Sequence, residues 1–294
     1  LVSTVLNAVQ RMAMLATLFM LLGTVAYIYW RAALCNGRLG IWRFALVIVF
    51  LVLGMLSKEN AVLLIPTLLL IEVFWFRCQR PDGQLMPWLR NVSYTLIAGG
   101  AAAVVGLLIY YWDYLAGRML SRPWSLEQRL MSESRIVWDY VAQTFWPQVQ
   151  RMGLYHDDVV VSRSLSEPIT TLYATVAWGL LVASCLLMLR YQPGRWIVLA
   201  VSLFLVGHSL ESTVWSLELY FEHRNYFPLV AMALLVGVLY AAVAKRWPQT
   251  SAPLLAFLLL ALLVLSGLTS SQVQVWSKRS LLVLSHLNGH PNSP

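Results

Sequence analysis

Glu218-Leu219-Tyr220-Phe221-Glu222-His223-Arg224-Asn225-Tyr226-Phe227-Pro228 packs ionisable groups and aromatic rings between two long apolar stretches. Such a mixture suits a charged, sugar-like or phosphate-like ligand. Arg224 could pair with phosphate oxygens through two parallel hydrogen bonds. His223 could donate to a phosphate or shuttle a proton near neutrality. Glu222 and Tyr226 would line the same cavity. A plainer reading stays open for the rings, because Tyr220, Phe221, Tyr226 and Phe227 could form an interfacial aromatic belt. Arg224 could likewise snorkel from the edge of a span.

A second interruption, Ser57-Lys58-Glu59-Asn60, divides another apolar stretch. Charged side chains at membrane depth cost about 2.5–3.5 kcal/mol each at a helix centre, so groups there usually face a cavity or a partner. Lys58 and Glu59 are therefore candidate cavity residues, with a solvated external turn as the alternative. His156-Asp157-Asp158 offers an imidazole and two carboxylates in sequence. Asp157 and Asp158 could hold Mg²⁺ or Mn²⁺ together with substrate phosphates, or could simply be solvated. No Gly-rich phosphate loop and no Ser–His–Asp or Cys–His arrangement is legible. Cys35, Cys78 and Cys185 are odd in number and lack metal-ligand spacing.

The elements that must position these residues are apolar. Of the 294 residues 59% are hydrophobic and 12% charged, against about a quarter charged in soluble domains. This composition predicts an all-α polytopic membrane protein. Eight segments stand out, at about 12–30, 44–57, 61–76, 92–112, 168–189, 196–210, 228–244 and 253–270. At 1.5 Å per residue, 44–57 and 61–76 reach only about 21 and 24 Å of a ~30 Å core, which would sink the Lys58 corner below the membrane surface. The net charge of +8 lies in single or paired basic residues between segments, so nucleic acid is not an expected partner.

Loops at 31–43, 77–91, near Arg190 and Arg195, and near Lys245 and Arg246 are predominantly basic and predict a cytoplasmic side. The alternate loops, 113–167 and 211–227, are richer in acids and would be extracytoplasmic, as would both ends of the chain. Within 113–167, Leu126, Leu130, Ile136 and Val137 recur at helical spacing, with Ser125 as N-cap and Pro147 as stop. An amphipathic helix there would wall a cavity. The first residue is Leu and the last residues, His290-Pro291-Asn292-Ser293-Pro294, stop abruptly after an amphipathic segment, so both ends are expected to be cuts in a longer protein.

Taken in order, Gln10-Arg11-Met12-Ala13-Met14, Leu56-Ser57-Lys58-Glu59-Asn60, Leu154-Tyr155-His156-Asp157-Asp158, Glu222-His223-Arg224-Asn225-Tyr226-Phe227-Pro228 and Trp276-Ser277-Lys278-Arg279 resemble a known family. The family is that of bacterial relatives of the transmembrane-and-tetratricopeptide-repeat O-mannosyltransferases, within the C-type glycosyltransferase (GT-C) superfamily. The resemblance spans nearly the whole chain and implies two regions. Residues 1–270 would be the GT-C-like membrane domain, and 271–294 a lead-in to a tetratricopeptide repeat domain. It further implies an inner-membrane enzyme that moves a sugar from a polyprenyl-phosphate donor to a protein or glycan outside the cytoplasm. Its catalytic acid would lie in a first external loop upstream of Leu1. Arg224 and His223 would bind the donor phosphate; Lys58, Glu59, Glu222 and Tyr226 would line the cavity. Asp157 and Asp158 would contact a divalent cation or the acceptor. Two rival readings are a non-catalytic anchor presenting a repeat domain and a transporter of an anionic solute, although no internal repeat supports the latter.

Overall fold

The computed structural model describes Val5, residues 10–148, 159–191 and 194–278, and residues 281, 283 and 284. Among the described residues the chain is all-helical, with one isolated bridge, Gln79 to Leu85, in place of any sheet. Ten α-helices follow in order: α1 Arg11–Cys35, α2 Ile41–Ser57, α3 Leu64–Ile71, α4 Pro87–Tyr110, α5 Trp112–Arg118, α6 Leu126–Phe145, α7 Thr170–Met188, α8 Gly194–His208, α9 Pro228–Arg246 and α10 Ser251–Ser277. A 3₁₀ turn, Glu59–Leu63, leads into α3, and a π turn, Glu72–Phe76, closes it.

Six helical stretches are long and apolar enough to cross a membrane: Arg11–Cys35, Glu59–Phe76, Pro87–Tyr110, Thr170–Met188, Pro228–Arg246 and Pro248–Ser277. Ile41–Ser57 and Gly194–His208 are apolar but shorter. The expectation that 61–76 is short is therefore revised, since the flanking turns extend it to 18 residues. The short partner of α2 is instead α8. Exposure supports the membrane assignment: α10 leaves Leu255, Phe257, Leu259, Leu260, Leu262 and Leu263 uncovered, an apolar surface far larger than a water-soluble monomer tolerates.

α8 is central. Its Leu199, Leu203 and Phe204 pack with Ile71 of α3, Val137 of α6, and Ala231 and Met232 of α9. A second cluster joins Ala16 and Met20 of α1 to Ala61, Leu63 and Leu64 at the corner before α3. α1 lies closely along α2, and Gly54 lets the returning corner approach: a Cβ there would stand 2.7 Å from Cβ of Ala61. Gly54→Leu should push the corner away and lower stability by about 1–3 kcal/mol, read as a drop in unfolding midpoint in detergent; an unchanged midpoint would show that the corner yields freely.

α6 is the amphipathic helix that the spacing predicts. Ser125 caps it, its hydroxyl accepting from Gln128 N at 3.3 Å while Ser125 N donates to Gln128 Oε1 at 3.0 Å. This reciprocal pair satisfies two of the helix's unpaired N-terminal groups. The buried face runs through Leu126, Arg129, Ser132, Glu133, Ile136, Val137 and Tyr140.

A charge relay at a polar recess: the candidate functional site

The buried stripe of α6 carries a charged pair where an apolar one would be expected. Arg129 and Glu133 sit one turn apart, and Arg129 Nη2 lies 2.9 Å from Glu133 Oε1. Arg129 also donates to the carbonyls of Thr213 (2.8 Å), Leu217 (2.6 Å) and Glu211 (2.9 Å). One guanidinium thereby fixes the irregular segment that follows α8. Buried charge is tolerated only when paired and hydrogen-bonded, and Arg129 meets both conditions.

The relay continues from Glu133 to Arg224, whose Nη1 lies 3.4 Å from Glu133 Oε1. Arg224 Nη1 donates to Leu219 O at 2.9 Å and Nη2 to Glu218 O at 2.6 Å. Its Nε lies 3.9 Å from Glu211 Oε2, beyond hydrogen-bond range. Glu211 Oε1 accepts from Lys58 Nζ at 2.5 Å, although the two residues are 153 positions apart. Three cations thus face two carboxylates in one continuous chain: Arg129, Glu133, Arg224, Glu211, Lys58.

Lys58 and Arg224 end at a small recess of about 20 Å³, lined also by Ala13, Thr17, Asn60, Gly207, His223, Tyr226 and Phe227. That volume fits about one water molecule. Three lining residues carry a buried polar atom without a hydrogen-bond partner, Arg224 Nε, His223 Nδ1 and Asn60 Oδ1. Gly207 allows the close approach, since a Cβ would meet Pro228 Cγ at 2.7 Å.

Electrostatics sharpen the roles. Burial, with Lys58 and Arg224 nearby, pushes the His223 imidazole down to about 4, so it is neutral at pH 7. It can donate or accept a hydrogen bond there, but it is not the near-neutral proton shuttle its unperturbed range suggests. Burial pushes Glu133 up to about 7 against the pull of Arg224 and Arg129. Glu211 is held below the usual carboxylate range: burial opposes this, but Lys58 and Arg224 outweigh it. The two perturbed groups act in opposite directions. For His223 the folded state resists protonation, so its contribution is lost as pH falls from about 6.5 to about 4. For Glu133 the folded state favours protonation, so its contribution fades as pH rises from about 4.5 to about 7. His223→Gln should therefore lose less stability than wild type on acidification from pH 6.5 to pH 4. Parallel pH–midpoint curves for the two proteins would refute that assignment.

The expected residues divide cleanly. Lys58, His223, Arg224 and Tyr226 converge on the recess. Glu59 is exposed and Glu222 half-buried, and neither lines the recess. Both terminal nitrogens of Arg224 donate to backbone carbonyls, and its Nε has no hydrogen-bond partner. Asp157 and Asp158 lie outside the described residues. No group of three or more His, Cys, Asp or Glu side chains among the described residues could hold a metal.

Sequence reading missed Arg129, Glu133 and Glu211 as site members. It also missed a separate buried group, in which Arg31 Nε contacts Glu72 Oε2 at 2.9 Å and Tyr27 donates to the same oxygen at 2.7 Å. For Arg129 and Glu133 a signal existed: both fall on the 3–4 spacing of the apolar stripe from Leu126 to Tyr140. Arg31 had been counted with a basic loop but is fully buried.

Fold and site together define an all-helical membrane protein with a relay of buried charges ending at a polar recess. No family model, curated protein or solved structure matches the chain.

Proposed function

We propose that the chain is the membrane domain of a glycosyltransferase that takes a sugar from a polyprenyl-phosphate donor and passes it to a protein or glycan. The observation that carries this reading is the meeting of two distant motifs. Lys58 and Asn60 from one, and His223, Arg224, Tyr226 and Phe227 from the other, line the same recess, with Ala13 from the first motif beside them. An excess of positive charge at the end of a membrane-embedded bundle suits a lipid phosphate, whose tail would lie along the exposed apolar helices.

In such a transfer the acceptor oxygen bonds to the sugar's anomeric carbon while the bond from that carbon to the phosphate oxygen breaks. The electron pair stays on the phosphate, and the acceptor's proton passes to a carboxylate base that the resemblance places upstream of Leu1. Lys58 and Arg224 Nε would stabilise the charge gained by the departing phosphate, and neutral His223 would donate a hydrogen bond to it. The recess is too small for a phosphate as folded, so binding requires Lys58 or its corner to move.

All eight apolar helices would span or enter the bilayer in this reading. α6 and the 211–227 segment would be extracytoplasmic, both ends of the sequence would face that side, and the setting would be a bacterial inner membrane. A divalent cation, if used, would fall to Asp157 and Asp158. Lys58→Met in the full chain, reconstituted with polyprenyl-phosphate-linked sugars and membrane acceptors, should reduce transfer at least about tenfold, the loss of one charged hydrogen bond. Unchanged transfer in a folded variant would sink the assignment.

A second reading has its own observation. Both terminal nitrogens of Arg224, and most of Arg129, serve backbone carbonyls, as expected of charges that only clamp a loop to α6. In that case the domain is a non-catalytic anchor for a tetratricopeptide repeat domain, and Lys58→Met alters stability without altering any transfer.

A further inference from the structure

The two ends of the helical bundle hold their cations differently. At the recess end the arginines have carboxylate partners within the protein: Arg122 meets Glu218 at 2.7 Å, and Arg129 and Arg224 share Glu133. At the opposite end, exposed Arg77 and half-buried Arg195 make no ion pair and no side-chain hydrogen bond among the described residues. Two carboxylates near Arg77 in sequence are already engaged. Glu72 binds Arg31 through both oxygens, and Asp82 Oδ1 accepts from Gln84 N at 2.9 Å.

Packing brings Arg77 and Arg195 to one corner. The stretch Glu59–Phe76 and α8 share a core cluster through Ile71, Leu199, Leu203 and Phe204. Their ends meet where the rings of Trp75 and Trp196 stand edge to face, 5.5 Å between centroids. Arg77 follows Phe76 directly, in the left-handed region (φ 56) where the π turn stops, and Arg195 precedes Trp196 in the first turn of α8. Trp75 is 44% exposed. Tryptophans at the ends of membrane spans lie at headgroup level, and the guanidinium fork matches phosphate oxygens while tolerating an aromatic neighbour.

We propose that this corner, with Arg77 and Arg195 flanking the Trp75–Trp196 contact, is a binding site for the headgroup of an anionic phospholipid. Basic pockets between membrane helices take such headgroups. A zwitterionic headgroup brings an ammonium group that two guanidiniums repel. An anionic one brings net negative charge to two cations that have no carboxylate of their own. The lipid bridges the end of the stretch Glu59–Phe76 to the start of α8, and so braces the two elements that share the core cluster. The recess touches α8 at its other end, through Gly207, and the inference is independent of what the recess binds.

The test uses the full chain in nanodiscs of phosphatidylcholine, alone or with a minor share of phosphatidylglycerol. Electron spin resonance of spin-labelled lipids gives the relative association of the two headgroups. Phosphatidylglycerol should be preferred at least about fivefold, the contribution of one arginine near the headgroups, and high salt should weaken the preference. The double variant Arg77→Gln, Arg195→Gln should lose most of it. Arg38→Gln with Lys245→Gln removes the same charge from other helices at the same end and should keep it. Wild type should also unfold at a higher midpoint when phosphatidylglycerol is present, because a ligand of the folded state raises it, and the double variant should be indifferent.

Equal association of the two lipids with wild type overturns the proposal. So does an equal loss in both double variants, which would mean a diffuse field rather than a site. Inorganic phosphate that displaces spin-labelled phosphatidylglycerol at constant ionic strength, and raises the midpoint in pure phosphatidylcholine as far, would make the occupant a free anion and overturn the lipid assignment. Should the Arg77, Arg195 double variant fail to fold, each single variant must lose part of the preference, and a single variant that loses none removes that arginine from the site.

Discussion

Replacing Arg129 with alanine is expected to lower the stability of the folded chain by about 3–5 kcal/mol, the cost of breaking a buried ion pair by removing one partner. Arg129 is fully buried. Its loss leaves Glu133 with the longer 3.4 Å contact to Arg224 and leaves the carbonyls of Glu211, Thr213 and Leu217 without their donor. The segment after α8 should loosen first, because these three bonds tie it to α6. Unfolding in detergent would show a large drop in midpoint, and a Glu-specific protease would cut at Glu218 in the variant before wild type. Wild-type resistance and midpoint in Arg129→Ala would mean that the relay is dispensable for the fold.

Glu72→Ala is expected to cost a similar amount at the other end of α1. Arg31 and Glu72 are both fully buried, 41 positions apart, and linked by Arg31 Nε at 3.0 and 2.9 Å to the two carboxylate oxygens. Arg31 also reaches Gln79 O at 2.7 Å, so the pair joins α1, the π turn and the chain beyond it. Without Glu72 an uncompensated guanidinium remains in an apolar setting, again about 3–5 kcal/mol. Glu72→Gln keeps the acceptor for Tyr27 and should fall between the two. Buried Cys78, just past the π turn, reports the outcome: a maleimide should label it faster in Glu72→Ala. Equal labelling and equal midpoints would contradict the role given to the pair.

Much of the scaffold was legible because membrane helices announce themselves locally. Each apolar stretch satisfies its own backbone hydrogen bonds, so 92–112 or 253–270 can be recognised without knowing its neighbours, and Ser125 marks the start of α6 within four residues. Pairing is not local. Nothing near Lys58 points to Glu211, and the basic loop containing Arg31 concealed its partner inside an apolar run. The motifs drew attention to Lys58 and Arg224, which line the recess, while Glu59, their equal in sequence, is exposed. The direction of a side chain at a 3₁₀ corner depends on the turn's geometry, which composition does not encode. The central place of α8 was also hidden, since its packing against α3, α6, α7 and α9 depends on contacts distant in sequence.

We propose that the recess between the Lys58 corner and the 222–228 segment receives a polyprenyl-phosphate donor. The most direct measurement is photo-crosslinking of the full chain in nanodiscs with a polyprenyl phosphate bearing a diazirine next to the phosphate, followed by peptide mapping. Label should concentrate on peptides containing Lys58–Leu64 and His223–Pro228, and should be lost in Lys58→Met. Label confined to the outward surface of α10, around Leu255–Leu263, and unchanged by Lys58→Met would contradict it.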